Sequence, residues 1–300
     1  MNATLSFELT GHQNPIFCAE LSQKPGILFT AGNDRGVVEW SIPEKAFIKV
    51  MFPVNASVYA LHCPEGFPYL IAGTRSGEVI VFDFIEQKVT HRLQHHIKPI
   101  FDIKTIKSKS ELLVASEDGS VSVWDLKTLS LLHHFVVSVD TIRSIAISPD
   151  EQQIAFGCRD HSVRVYKAED FSHTGTLTGH TMAVFTTAFS PDGSLLISGA
   201  RDAQVKVWDS ISHQLIKNIP AHLFAVNHIC FHPTRPYFAT ASMDKSIKIW
   251  GVDDFRLYKI ISREKGYPSH LLSVNKLTWN DNQLISVSDD KRVLGWDREF

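Results

Sequence analysis

The chain has little cysteine: Cys18, Cys63, Cys158 and Cys230 are the only four in 300 residues, far apart and never in a C-x-x-C pair. That spacing argues against a disulfide framework and reads as four small core thiols in a reducing compartment. No segment approaches the roughly 18 apolar residues of a membrane-crossing helix, and the opening MNATLSFELTGH has neither a basic n-region nor an apolar core of signal-peptide length. We therefore expect a soluble intracellular protein, cytoplasmic with the nucleus left open, and no membrane partner; the sequons Asn2-Ala3-Thr4 and Asn55-Ala56-Ser57 are then chance matches. Charge of one sign is also missing. Thirty Lys+Arg against 32 Asp+Glu leave a net charge of −2 and a pI near 6.7, so no global field recruits nucleic acid or anionic lipid. Nor is there an H-E-x-x-H, EF-hand, P-loop, G-x-G-x-x-G or G-x-S-x-G motif. No cofactor, metal or small-molecule substrate is expected.

What is present is a repeat. In SGARDAQVKVWD, Asp202 stands six residues before Trp208, and the pair recurs as Asp34/Trp40, Asp118/Trp124, Asp244/Trp250 and Asp290/Trp296, with Asp160/Tyr166 as a variant. With Phe82 added, the aromatic positions follow one another at intervals of 42, except the last, which is 46. Three residues before each stands Val or Ile, and about 24 before stand Ile16, Val58, Ile100, Ile142, Val184, Val226 and Val274, all β-branched. Turn signals such as Ser190-Pro191-Asp192-Gly193 and Lys24-Pro25-Gly26 separate these runs, and a fourth run ends on an apolar residue, Met51, Leu93, Phe135, Leu177, Ile219 or Ile261. Four short strands per unit with no helical periodicity predict an all-β propeller of seven blades.

Gly11-His12, Gly179-His180, Trp124-Asp125, Trp208-Asp209 and Trp296-Asp297 at this spacing resemble the WD40 family over the whole chain. The resemblance implies one domain over residues 1–300, with repeats at approximately 11–52, 53–94, 95–136, 137–178, 179–220, 221–262 and 263–300. A seventh blade of three strands would expose unpaired backbone groups, so the segment 3–10 is expected to pair with 293–297 and close the ring. The extra residues near ISREKGYPSH are expected in a surface loop.

The resemblance also assigns the Asp. In the family the indole N–H donates to a hydroxyl, the hydroxyl to an imidazole, and the imidazole to the turn carboxylate. Complete sets are His12/Thr30/Asp34/Trp40, His180/Ser198/Asp202/Trp208, His222/Thr240/Asp244/Trp250 and His270/Ser286/Asp290/Trp296. Unit three has His96 but Val114 at the hydroxyl position. Unit two (Val54, Ala72, Ser76, Phe82) and unit four (Ser138, Phe156, Asp160, Tyr166) have largely traded the network for apolar packing, so blades two to four are expected to be softer. A hydrolytic Ser/His/Asp triad is the competing reading, but the set recurs four times, with Ser alternating with Thr. Clustered histidines such as His91, His95, His96, His133 and His134 raise metals; His91 and His133 occupy an edge-strand position held elsewhere by Lys49, Lys217 and Lys259, where basic residues discourage aggregation.

The resemblance places residues 25, 23 and 7 before each aromatic on the upper face around the channel mouth. The fold does not dictate their identity. Phe17, Tyr59, Phe101 and Phe185, with Arg143, occupy minus 23, and Arg75, Arg159 and Arg201 occupy minus 7. Aromatics beside arginines have the composition of binding hot spots. The expected function is a non-catalytic scaffold binding protein or peptide partners on that face, in particular an acidic or phosphorylated segment, as a subunit of a complex. A nucleic-acid-associated subunit is the alternative, disfavoured by the neutral charge. An enzyme on a propeller scaffold would need converging acids, and Glu117 and Asp289 sit on units three and seven, roughly across the ring.

Overall fold

The structure is a computed structural model in which residues 2–299 are described. They form seven four-stranded antiparallel sheets, the blades of a closed ring, with only two three-residue 3-10 turns, Lys107–Lys109 and Arg263–Lys265. The innermost strands of blades one to seven are Ile16–Leu21, Val58–His62, Ile100–Ile106, Ile142–Ile147, Val184–Phe189, Val226–Phe231 and Val274–Asn280. Each begins on the β-branched residue expected from the spacing. All seven of those residues are fully buried, and neighbouring inner strands touch around the whole ring, the last against the first.

The burial has a specific partner. A Cβ added to Gly199 on the second strand of blade five would lie 2.7 Å from Val226 Cγ1 of blade six. The second strand must be bare there because the next blade's first side chain fills the space. On the other side of each blade, the β-branched residue three before the aromatic pairs with the apolar end of the outer strand: Val79 with Leu93, Val121 with Phe135, Val163 with Leu177, Val205 with Ile219 and Ile247 with Ile261. Blade one departs from the expectation. A register shift leaves Met51 out of the ladder, and Phe52, which is buried, stands opposite Val37.

Each inner strand carries a β-bulge at its second residue, because the register jumps from Ile16 to Cys18, from Val58 to Ala60 and so on through Val274 to Lys276. A bulge leaves one residue unpaired and re-aims its side chain. The seven residues so placed are Phe17, Tyr59, Phe101, Arg143, Phe185, Asn227 and Asn275.

The ring closes through the N-terminal strand. Asn2–Leu9 pairs antiparallel with Val293–Glu299, with Leu9 opposite Val293, so blade seven is built from both ends of the described chain. Phe7 and Leu9 are buried, and Gly295 is bare because any Cβ there would collide with the Phe7 ring. The inserted segment of blade seven forms the Arg263–Lys265 turn, and Tyr267 packs edge-on to Trp296 at 6.5 Å. Deleting residues 1–10 is expected to lower the melting temperature and broaden unfolding, because the exposed edge of Val293–Glu299 loses its partner. A truncated chain that melts cooperatively at the wild-type temperature would show that the closure is dispensable.

Candidate functional site

The four expected tetrads are hydrogen-bonded. In blade five, Trp208 Nε1 donates to Ser198 Oγ at 2.9 Å, His180 Nε2 lies 2.8 Å from that hydroxyl, and His180 Nδ1 donates to Asp202 Oδ2 at 3.0 Å. Blade six repeats this at 3.0, 2.8 and 2.9 Å through Trp250, Thr240, His222 and Asp244, and blade seven at 3.0, 2.8 and 3.0 Å through Trp296, Ser286, His270 and Asp290. In blade one Trp40 and His12 each meet Thr30 Oγ1 at 2.7 Å, and His12 meets Asp34. The carboxylate also accepts a backbone N–H from the loop after the histidine: Gln13 at 3.1, Thr181 at 2.9, Leu223 at 3.1 and Leu271 at 2.8 Å. Each Asp therefore ties its own turn, a buried imidazole and the entry loop of its blade together. Burial alone would raise the Asp244 carboxyl, but the His222 imidazole, the Ser246 hydroxyl and the Leu223 N–H hold it well below the usual carboxylate range. The imidazoles go the other way: burial pulls His12 and His222 down from 6.5 against the pull of their carboxylates.

Blade three corrects the expectation that it lacks the hydroxyl. Trp124 Nε1 and His96 Nε2 both reach Ser122 Oγ at 2.9 Å, and His96 Nδ1 reaches Asp118 at 2.8 Å. Ser122 is the cross-strand partner of Val114. Hydroxyl and apolar residue have changed strands, and the network closes from the other side. Blade four is corrected as well. Arg164, opposite Phe156, places Nη2 at 2.6 Å from Asp160 Oδ2 and Nη1 on the Val137 carbonyl, while Ser138 Oγ donates to the same carboxylate oxygen at 3.0 Å. A guanidinium takes the bond to the turn carboxylate that an imidazole makes in the other blades. Only blade two has neither imidazole nor carboxylate at these positions: Val54, Ala72, Ile80 and Phe82 share one buried cluster and Ser76 bonds Thr74 Oγ1 at 2.9 Å, so the reason for expecting softness applies to it alone.

The bulge residues form a continuous belt at the channel mouth. Phe17 and Tyr59 lie 5.3 Å apart, Tyr59 stacks on Phe101 at 5.4 Å, and the Arg143 guanidinium sits between Phe101 and Phe185 at 4.0 and 4.8 Å from their centroids. The polar bulge residues complete it: Asn227 Nδ2 donates to the Val274 carbonyl at 2.9 Å, and Asn275 Nδ2 donates to the Ile16 carbonyl at 2.8 Å and to Asp289 Oδ1 at 2.7 Å. These rings are half-buried against one another and line the channel rather than standing out from the face. Arg143 turns inward with them, away from the exposed Arg159 and Arg201 with which it was expected on the upper face. Arg75 and Arg201 are exposed, and Arg159 is exposed with Asp140 3.5 Å away. Asp289 is committed to Asn275, and among the described residues no group of three or more His, Cys, Asp or Glu is placed to hold a metal.

One feature of the upper face escaped the sequence reading. The two residues after each tetrad histidine are polar in blade one (Gln13, Asn14) but large and apolar in blades six and seven. Leu223, Phe224, Leu271 and Leu272, with Met243 on the neighbouring turn, are 46% to 81% exposed. Ile97, Val139 and Met182 hold related loop positions in blades three to five. The signal was the pairs Leu223-Phe224 and Leu271-Leu272 inside a turn, where a fold has no use for them.

Seven four-stranded blades closed by a terminal strand, with a polar network that repeats around the ring, define a β-propeller of the repeat class. The family model for the WD domain, G-beta repeat, matches residues 3–41, 87–125, 128–167, 171–209 and 213–251, more than half of the chain, and the protein belongs to that WD40 family. The segments outside these matches hold three of the four strands of blade two, which has no tetrad, and three of the four of blade seven, with its insertion. No curated protein matches the chain.

Replacing Asp202 by Ala should cost about 1–3 kcal/mol by leaving His180 and the Thr181 N–H without their acceptor, and Trp208→Phe should cost less. Ser122→Val should cost a similar amount, and adding Val114→Ser should recover most of it, both read by urea unfolding. A Ser122→Val protein as stable as wild type would contradict the crossed network.

Proposed function

We propose that this protein is a non-catalytic interaction scaffold that docks a polypeptide on its upper face, with an acidic or phosphorylated stretch of the partner over Arg159 and Arg201 and an apolar stretch over blades six and seven. The observation that carries the reading is the concentration of exposed Leu223, Phe224, Met243, Leu271 and Leu272 on two adjacent blades of one face. An isolated exposed apolar residue needs no explanation, whereas a cluster is what a partner covers. Arg201 has no side-chain partner among the described residues, and the exposed Arg159 and Asp140 form a pair worth little in water. Both guanidiniums are therefore available for bidentate pairing with carboxylate or phosphate.

Nucleic acid is the weaker reading, because Phe17, Tyr59, Phe101 and Phe185 are engaged with one another and with Arg143 instead of presenting faces for base stacking.

Leu223→Asp/Leu271→Asp and Arg159→Glu/Arg201→Glu proteins should melt like wild type and bind a partner captured by affinity purification on the wild-type protein roughly tenfold or more weakly, since each covered apolar side chain contributes about 1.5–3 kcal/mol. Lys49→Glu/Lys217→Glu on the outer strands should leave binding unchanged. Loss of the partner by the outer-strand variant, with retention by both face variants, would move the site off this face.

A further inference from the structure

The central channel encloses about 950 Å³ and is lined by the inner strands of all seven blades. That is the size of a small-ligand site. Its charged lining consists of Glu20, Asp102, Lys104, Arg143 and Lys276, with the imidazoles of His62 and His228. The two acids are occupied. Glu20 Oε1 lies 3.3 Å from His62 Nδ1 and accepts the Cys63 N–H at 3.3 Å, while Asp102 accepts the Ile103 N–H on one oxygen at 3.0 Å and the Ile145 N–H of the next blade on the other at 2.8 Å. His62 spends its second nitrogen on Thr105 Oγ1 at 2.8 Å.

The bases are not occupied. Neither Lys104 Nζ nor Lys276 Nζ has a hydrogen-bond or ion-pair partner among the described residues. Burial works against the charge of Lys104, but the nearby carboxylates of Asp102 and Glu20 hold its pKa above the ordinary lysine value. His228 Nδ1 accepts the Leu277 N–H at 3.3 Å, which leaves the proton on Nε2. Burial, reinforced by the ammoniums of Lys276 and Lys104, keeps that ring neutral, well below its ordinary pKa. Arg143 has both faces covered by rings, and its N–H edge has no acceptor among the described residues.

By strand position, Arg143 lies at the mouth, His228 and Lys276 one residue deeper and Lys104 two deeper again, a descent of roughly 10 Å at the rise of a β-strand. Three cations and one N–H donor thus face the same channel without an acceptor among the described residues, beside two carboxylates that each already accept a backbone N–H. Cationic donors that face an open channel without a protein acceptor are placed to take an anion when one arrives.

We propose that the channel is a binding site for a phosphate-class oxyanion, held by Lys104, Lys276 and the His228 Nε2–H with Arg143 guarding the entrance. The phosphate belongs either to a free small anion or to a phosphorylated side chain reaching down from the upper face, and the test separates the two. Calorimetric titration of the full chain with inorganic pyrophosphate, and separately with a capped tripeptide bearing phosphoserine, should give saturable one-to-one binding for at least one probe. Pyrophosphate alone identifies a free anion, and the tripeptide alone identifies a carried phosphate. Lys104→Met/Lys276→Met should bind at least tenfold more weakly while still unfolding in one cooperative transition, and Lys276→Met alone should also weaken binding.

A readout that needs no variant is the His228 imidazole by NMR. The bound anion should raise its pKa against the ammoniums of Lys276 from blade seven and Lys104 from blade three, in the same direction as the carboxylates of Asp102 from blade three and Glu20 from blade one, with His62 of blade two committed to Glu20 and Thr105. Absence of saturable binding at millimolar concentration, equal binding by the double variant, or saturation without any change at His228 would each overturn the assignment.

Discussion

The carboxylate at the strand turn is the interaction on which the rest of this ring depends. A β-sheet blade a few residues wide has no inherent reason to hold a large indole, an imidazole and a hydroxyl in its interior, because each would cost about 1–3 kcal/mol if left unsatisfied. The turn Asp removes that cost at one stroke by terminating the chain of donors. It then does something the core does not require: in blades one, five, six and seven it also holds the first N–H of the entry loop. In blades six and seven the residues so held are Leu223 and Leu271, two of the exposed apolar side chains of the upper face. If the proposed docking on this face holds, stability and recognition share one bond, and the entry loops are set before a partner arrives, which lowers the entropy lost on binding.

The second constraint is the bulge in every inner strand. It costs one unpaired residue per blade and returns a side chain whose identity the ladder does not restrict. In blades one to five those side chains make an aromatic and cationic stack, and in six and seven they are asparagines that bond the next blade's inner strand. The mouth of the channel is thus part of the inter-blade packing. What lies below it is freer, and there the satisfied acids and unsatisfied bases give the channel its chemical character.

Much of this was legible in the amino-acid order. β-branched residues at a fixed distance from an aromatic located all seven inner strands, and the open edge left by a three-stranded seventh blade located the ring closure. The departures come from information that a count along the chain does not hold. Ser122 serves blade three from across the ladder, so counting ten back from Trp124 finds Val114 and misses it. Phe52 replaces Met51 as the buried end of an outer strand because a bulge shifted the register by one. Arg143 was placed beside Arg159 and Arg201 by position number, but the bulge turns it into the channel. Leu223-Phe224 and Leu271-Leu272 stand in the loop after the tetrad histidine, outside the three positions per repeat that face the channel mouth, where the repeat pattern carries no information about them.

Peptide-resolved hydrogen exchange of the native protein tests the central claim most directly. If the turn carboxylates restrain the entry loops, the amides of Gln13, Thr181, Leu223 and Leu271 exchange slowly, while the matching loop of blade two around Asn55, which has no tetrad, exchanges at the rate of an open turn. Equal, fast exchange in all of these loops would contradict the account, because the carboxylates would then hold the blades without holding the face.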